Sequence, residues 1–293
     1  MKLLDGNALA TTIKSELKEK VNSLLEQSQR PPHLVAVLIG DNPASRSYVT
    51  NKVKSCEEVG YRSTLIQRPA EISQHALLAI VDELNADPEV DGFIVQLPLP
   101  EHINEMEITM AIDPSKDVDG FHPMNVGRMT LGLPSYLPAT PMGILEMLKR
   151  NNIQIAGKNC CVIGRSNIVG TPMSILLSRK GEPGDGTVVL CHSRTPNMKH
   201  ITLASDIIIV ALGRPHFLTA DMISEGAVVI DVGINRIADP TKKSGFRITG
   251  DVDFDNVAPK CSYITPVPGG VGPMTVTSLL MNTWKAYTKE IYA

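Results

Sequence analysis

The sequence predicts an α/β protein of two domains, each built on a parallel sheet, with the second sheet doubly wound. Three observations carry that prediction. A chain of 293 residues is longer than one hydrophobic core ordinarily serves. Short continuous apolar runs, the mark of strands buried on both faces, recur with helical stretches between them. A proline- and glycine-crowded stretch over 98–141 separates one such series from the next.

In chain order, residues 5–28 predict an amphipathic helix, with Ile13, Leu17, Val21, Leu24 and Leu25 at helical spacing and Pro31-Pro32 ending it. Leu34 to Ile39 is an unbroken apolar run closed by Gly40, a strand with no solvent face. A helix through Tyr48 to Val59 stops at Gly60, a strand follows over 63–66, a helix over 73–86, and another buried strand over 92–96. Strand and helix in alternation require a parallel sheet with helical crossovers. The segment 98–141 is expected to be irregular, and long structured loops in compact proteins are usually functional. A helix over 141–151 places Pro141 in its first turn. Strands are expected at 160–163, 187–191, 206–211 and 227–232, in a Rossmann-like doubly wound domain. A last strand near 262–265 leads through Pro266–Pro273 into a C-terminal helix. The domain assignment is therefore 1–140 and 141–273, with the helix of 274–293 expected to pack back on the first domain.

Composition narrows the function. Lys and Arg number 28 against 31 Asp and Glu, a net charge of −3 with no basic stripe, and aromatics are 4%. Neither a nucleic-acid surface nor a base-stacking platform fits that balance. The longest apolar stretches fall far short of the roughly 20 residues a spanning helix needs, so no membrane role is expected. Lys2, Asp5, Lys14 and Glu16 interrupt any apolar signal core. The five cysteines match neither a disulfide framework nor a zinc site, and Cys160, Cys161 and Cys191 lie in strand-like runs as packing residues. A reduced, cytoplasmic protein is expected. No two of the seven histidines sit at metal-ligand spacing, and no metal is expected.

The second series carries a nucleotide signature. Cys160 to Ile163 run into Gly164-Arg165-Ser166, and Gly170 opens a helix. The glycine permits a tight turn, Arg165 and Ser166 offer a cation and a hydroxyl, and helix-terminal N–H groups would complete an anion site. The next strand ends in His192-Ser193-Arg194-Thr195, with no acid to bind a ribose 2′-hydroxyl. Ser193 and Arg194 suit a 2′-phosphate, so NADP is expected rather than NAD. Gly213, Arg214, Gly233 and Ile234 follow the next two strands, where a doubly wound sheet places its ligand, although turn-forming glycines explain such positions equally well.

The first series offers chemistry of a different kind. Tyr48 and Lys52 lie four apart, on one helix face. A lysine acts as a base only when neutral, which demands burial or nearby positive charge; a solvated Lys beside an amphipathic Tyr is the plainer alternative. Tyr-x-x-x-Lys also marks short-chain dehydrogenases, but there the glycine turn precedes it, whereas here Gly164 follows. Gln96 ends a buried strand just before Leu97-Pro98-Leu99-Pro100, and Asp117-Val118-Asp119-Gly120 sets acids in a glycine turn. His122 and His33 read as packing or capping residues.

Taken together, these pieces resemble the bifunctional methylenetetrahydrofolate dehydrogenase/methenyltetrahydrofolate cyclohydrolase family, essentially end to end. The resemblance rests on Tyr48-Val49-x-x-Lys52, Gly92-x-x-Val95-Gln96-Leu97-Pro98-Leu99-Pro100 and Lys116-Asp117-Val118-Asp119-Gly120-Phe121. It continues through Gly164-Arg165-Ser166-x-x-Val169-Gly170-x-Pro172 and Pro266-Val267-Pro268-Gly269-Gly270-Val271-Gly272-Pro273-Met274-Thr275. The resemblance implies a homodimer with folate in a cleft between the domains, facing NADP. It implies Lys52 as the key base, Tyr48 packed on the folate, Gln96 positioning Lys52, and Asp119 bonded to the pterin. Val95, Leu97 and the loop of Pro268, Gly269, Gly270 and Gly272 would complete the tetrahydrofolate site. Gly164, Arg165, Ser166, Ser193, Arg194, Gly213, Ile234 and Thr275 would hold NADP. The implied reactions are hydride transfer from the methylene carbon, then hydrolysis of the methenyl cation to 10-formyltetrahydrofolate, beside which a neutral Lys52 avoids like charge. Two features depart from the pattern: Ala139 where members often carry Cys, and a long Gly-rich link over 180–186. A monofunctional NADP-dependent dehydrogenase of the same architecture, or a non-catalytic NADP- or folate-binding module, are the alternatives at this point. The pairing of Lys52 with Gln96 argues against the first, and intact polar residues at each motif position argue against the second.

Overall fold

The computed structural model describes residues 1–242 and 245–292; Ala293, the end of the expected C-terminal helix, lies outside the described residues. The first elements are β1 (Lys2–Leu3), α1 (Gly6–Glu26), β2 (His33–Ile39), α2 (Pro43–Val59), β3 (Arg62–Arg68), α3 (Gln74–Ala86) and β4 (Gly92–Val95). Then come α4 (Glu105–Ala111), α5 (Pro123–Thr130), α6 (Ala139–Arg150), β5 (Asn159–Ile163), α7 (Gly170–Ser178), β6 (Thr187–Cys191) and α8 (Met198–Leu203). The last are β7 (Ile207–Val210), β8 (Val228–Asp231), β9 (Asn235–Ala238), β10 (Phe246–Thr249), α9 (Phe254–Val257), β11 (Tyr263–Ile264) and α10 (Val271–Tyr287). The chain forms two compact units, one of residues 11–139 with 276–293, the other of residues 1–10 with 140–275.

The first unit holds a parallel sheet in the order β3-β2-β4. Its central strand β2 is buried at every residue, as an apolar run without alternation requires, whereas the edge strand β3 is partly exposed. On α3, Leu77, Ile80, Val81 and Leu84 repeat at i, i+3, i+4 and i+7, and this stripe packs on Val35, Val37, Phe93 and Val95. Each such side chain contributes about 1.5–3 kcal/mol relative to leaving it in water. Ser73 caps α3 by accepting the Ala76 N–H at 3.2 Å.

The stretch over 98–141 is less irregular than its prolines suggest, because it holds α4 and α5. Asn104 starts α4, accepting from the N–H groups of Met106 and Glu107 while its amide donates to Glu107 Oε1. That reciprocal cap was legible as Asn-x-x-Glu. His122 caps α5 by accepting the Met124 N–H at 3.0 Å, with Pro123 in the first turn.

The second unit holds a six-stranded parallel sheet in the order β1-β11-β8-β7-β5-β6. The chain runs from β5 outward to β6 and returns to β7 on the other side. This reversal is the topological switch of a doubly wound fold, with its ligand crevice at the carboxyl ends of the strands. Strand β1, too short for any periodicity, pairs with β11, and β9 with β10 forms a separate antiparallel ribbon. Cys160, Cys161 and Cys191 are buried in β5 and β6; Cys161 and Cys191 approach to 3.6 Å between sulfurs as free thiols. No helix among the described residues is long and apolar enough to cross a membrane.

Candidate active site

On the first unit the chemistry gathers where α2 meets the end of β4. Lys52 is 8% exposed on α2, while Tyr48, one turn earlier, is 43% exposed. One helix therefore sinks the amine and presents the ring to solvent. The Lys52 Nζ donates to Gln96 Oε1 at 3.2 Å. Gln96 is fixed from two sides: its N–H continues the sheet by bonding Val37 O at 2.9 Å, and its side-chain amide donates to Leu97 O at 2.7 Å. Its amide nitrogen being so engaged, Oε1 is the atom turned to the lysine. Val95 is buried in β4, and Leu97 is half-buried beyond it. Cys56, on the same helix, is pushed up to about 12 by burial, which leaves it a packing thiol.

The turn carrying Asp119 is attached to β4 where the Phe93 N–H bonds Lys116 O at 3.0 Å and Phe93 bridges to Asp117. The two acids of this turn differ in environment. Asp119 is half-buried, whereas Asp117 is 2% exposed and accepts from the N–H groups of Phe121 and His122 and from Asn125 Nδ2. Burial pushes the Asp117 carboxyl up to about 7, against the pull of those donors. Asn125 Oδ1 in turn accepts from Tyr292 Oη at 2.8 Å, and Asn282 Nδ2 donates to the carbonyls of Val118 and Leu137. Asp117 is thus the strut of the turn, and Asp119 is the acid it presents. Gly120 has φ +73, and a β-carbon there would lie 2.6 Å from the Leu137 carbonyl carbon. His33 is likewise structural, its ring bonded to Glu89 O and Thr64 Oγ1.

The second unit presents its polar groups at successive strand ends. Gly164, after β5, has φ +120 and passes so near β7 that a β-carbon would lie 2.2 Å from Ala211 O. A β-carbon at Gly170 would overlap Gly164 O, so both glycines are required for the turn to close on α7. Arg165 and Ser166 are exposed beside it, and Ser193 and Arg194 are exposed after β6. The Ser193-Arg194 turn is shaped by its neighbours: the His192 N–H bonds Thr195 Oγ1, and the Arg194 N–H bonds His192 Nδ1. The helix-terminal N–H groups expected to complete an anion site are already occupied, since those of Val169, Gly170 and Thr171 bond Ser166. The Ser166 hydroxyl oxygen is thereby engaged as an acceptor, while Arg165, Ser193 and Arg194 are exposed at the same strand ends.

Gly213 and Ile234 are exposed after β7 and β8. Thr275 Oγ1 pairs with Thr140 Oγ1 at 2.9 Å. In the loop after β11, Pro268 is exposed, Gly269 is half-buried and Gly270 is buried, while Gly272, in the first turn of α10, is half-buried. The chain start secures this loop: the Asn7 N–H bonds Gly269 O, and a β-carbon on Gly6 would overlap Gly270 O. Two acids not recognised as site residues organise the strand ends. Asp231 accepts from the N–H groups of Gly233, Asp251 and Val252, while Asp251 takes those of Leu212, Gly213 and Arg214. Among the described residues no group of three or more His, Cys, Asp or Glu side chains is placed to hold a metal.

Strand ends that carry a close-packed glycine turn, two exposed arginines and two exposed serines fit an anionic dinucleotide. The comparisons with known proteins agree. The catalytic-domain model of tetrahydrofolate dehydrogenase/cyclohydrolase matches residues 4–119, and the NAD(P)-binding-domain model of the same name matches residues 138–291. A curated relative from Porphyromonas gingivalis, Bifunctional protein FolD, is 60% identical over 291 residues, covering 99% of this chain and 98% of its own. The crystal structure of the bifunctional FolD methylenetetrahydrofolate dehydrogenase/cyclohydrolase from Campylobacter jejuni is 48% identical with a TM-score of 0.93, covering 99% of both chains. The Trypanosoma brucei enzyme, solved with NADP cofactor and inhibitor, is 38% identical with a TM-score of 0.93, covering 99% of this chain and 98% of its own.

Proposed function

The chain belongs to the tetrahydrofolate dehydrogenase/cyclohydrolase family, and from that premise we propose which of its residues carry the two reactions. It is a bifunctional enzyme that oxidises 5,10-methylenetetrahydrofolate to the methenyl form with NADP and hydrolyses that product to 10-formyltetrahydrofolate. NADP, when bound, supplies the acceptor for the hydride that leaves the methylene carbon. Arg165, Ser166, Ser193 and Arg194 hold its phosphate-bearing end, and Gly164, Gly213, Ile234 and Thr275 lie along it. The unit of residues 11–139 with 276–293 takes the folate and the other takes the cofactor; the chain start expected in the folate domain belongs instead to the cofactor unit, because β1 pairs with β11 there.

In the hydrolytic step, water adds to the methenyl carbon and gives a proton to the Lys52 amine. The same Nζ returns that proton to the folate nitrogen as its bond to carbon breaks. The added hydroxyl gives its remaining proton to solvent as the carbonyl forms, which carries away the charge of the methenyl cation and leaves the formyl group on the other nitrogen. Gln96 aims the amine by accepting one of its N–H groups, Tyr48 covers the folate ring, and Asp119 bonds the pterin. Val95 and Leu97 line the same site, and the family motif assigns Pro268, Gly269, Gly270 and Gly272 to the substrate as well. The observation that carries this reading is the 3.2 Å contact from a buried Lys52 Nζ to a doubly anchored Gln96.

The test is Lys52→Met, which keeps the length and apolar stem of a side chain that is already buried. Cyclohydrolase activity should fall by about 10²-fold or more, with NADP affinity unchanged. Full cyclohydrolase activity in this variant would remove Lys52 from the mechanism. The family resemblance supports a homodimer, to be checked by sedimentation, and five buried free thiols fit a reducing cytoplasm.

A further inference from the structure

We propose that Asp251 is a positioning residue for NADP: it fixes in one geometry the two loops that follow β7 and β8 and over which the dinucleotide lies. The proposal rests on the reading that the strand ends of the second unit hold NADP. Asp251 follows the β9–β10 ribbon, far in sequence from the first of these loops, and is 0% exposed. Its carboxylate takes three consecutive backbone N–H groups of the first loop, Leu212 at 2.6 Å, Gly213 at 2.9 Å and Arg214 at 2.8 Å. It takes a fourth bond from Asn235 Nδ2 at 2.8 Å, at the end of the second loop. One anion thus ties the loop after β7 to the loop after β8.

The anchor is itself anchored. Asp231, the last residue of β8, accepts the Asp251 N–H at 2.9 Å and the Val252 N–H at 3.0 Å. Two glycines make room: a β-carbon at Gly233 would lie 2.4 Å from Asp251 Oδ1, and one at Gly250 would overlap Asp231 Oδ2. Among the described residues neither carboxylate forms an ion pair with Lys or Arg. The buried charge is satisfied by N–H donors alone, so it is a device for orienting backbone, as charge-assisted bonds to N–H groups do. Gly213 has φ +67, a conformation that glycine adopts without steric cost, so the three N–H groups of this loop can turn together toward the Asp251 carboxylate.

The enzyme supplies its own control, because hydrolysis of methenyltetrahydrofolate needs no NADP. In Asp251→Asn, the dissociation constant of NADP should rise at least tenfold, equivalent to about 1.4 kcal/mol. Cyclohydrolase kcat/KM, measured without cofactor, should stay within about twofold. A proportional fall in both activities with unchanged NADP affinity would make Asp251 a general strut and overturn the proposal. Should Asp251→Asn fail to fold, Asn235→Ala severs only the link between the loops. It should weaken NADP binding about threefold or more with cyclohydrolase intact, and unchanged binding overturns the proposal. If the parent protein binds no NADP, the cofactor reading itself fails; tight parental binding matched by Asp251→Asn refutes the positioning role alone.

Discussion

Asp117 makes a prediction whose sign and size can both be worked from the structure. Its carboxyl is buried in the turn that presents Asp119 and accepts three N–H donors, which favour the anion, yet desolvation prevails and lifts it from 3.8 to about 7. Between those values the folded protein keeps a proton that the unfolded chain has released. The stabilisation from that proton is complete below the unfolded value and is lost as pH rises through 7. A shift of about three pK units corresponds to about 4 kcal/mol over the whole window, and about 2–3 kcal/mol between pH 5 and pH 8. Asp117→Asn fills the same space and cannot titrate. The single tryptophan, Trp284, lies in α10 within the unit that holds Asp117, so its fluorescence in urea reports the relevant unfolding. The stability of the Asp117→Asn variant relative to the parent should improve by about 2–3 kcal/mol from pH 5 to pH 8. A gap that is the same at both pH values, or one that moves in the parent's favour at pH 8, would refute the reasoning by showing that the donors outweigh desolvation.

Two further substitutions address the cofactor side. Gly164→Ala places a β-carbon 2.2 Å from Ala211 O at a φ of +120, and because the obstructing atom is backbone, β5 and β7 must part; NADP affinity measured by titration should fall more than tenfold, with cofactor-free cyclohydrolase largely kept. Arg194→Ala removes an exposed cation assigned to the 2′-phosphate; KM for NADP should rise about tenfold while KM for NAD changes little, as steady-state assays with each cofactor would record.

How far the sequence led depends on the reach of each signal. Strands β2, β4, β5, β7 and β8 were legible because a strand buried on both faces must be continuously apolar. Gly164 was legible because a glycine between a buried strand and a helix marks a turn that no β-carbon can enter. The Lys52–Gln96 contact was not contained in either residue's surroundings, since 44 residues separate them and it takes both the parallel register of β2 with β4 and the packing of α2 on that sheet to bring them together. Family motifs supplied that pairing. Asp231 and Asp251 escaped notice because acids near glycine turns look like ordinary turn formers, and their value lies in tertiary hydrogen bonds. Helices α4 and α5 were hidden by proline density, although Asn104 with Glu107 and His122 with Pro123 carried the capping signals.

The most direct measurement offers the purified protein 5,10-methylenetetrahydrofolate with NADP, following reduced cofactor by absorbance and methenyl product after acid quench. Joint dehydrogenase and cyclohydrolase activity predicts steady formation of NADPH with no build-up of the methenyl compound, because the hydrolysis proposed for Lys52 and Gln96 removes it as it forms. NADPH accompanied by an equal amount of methenyl product would contradict the hydrolytic role of that pair, and no NADPH at all would contradict the dehydrogenase.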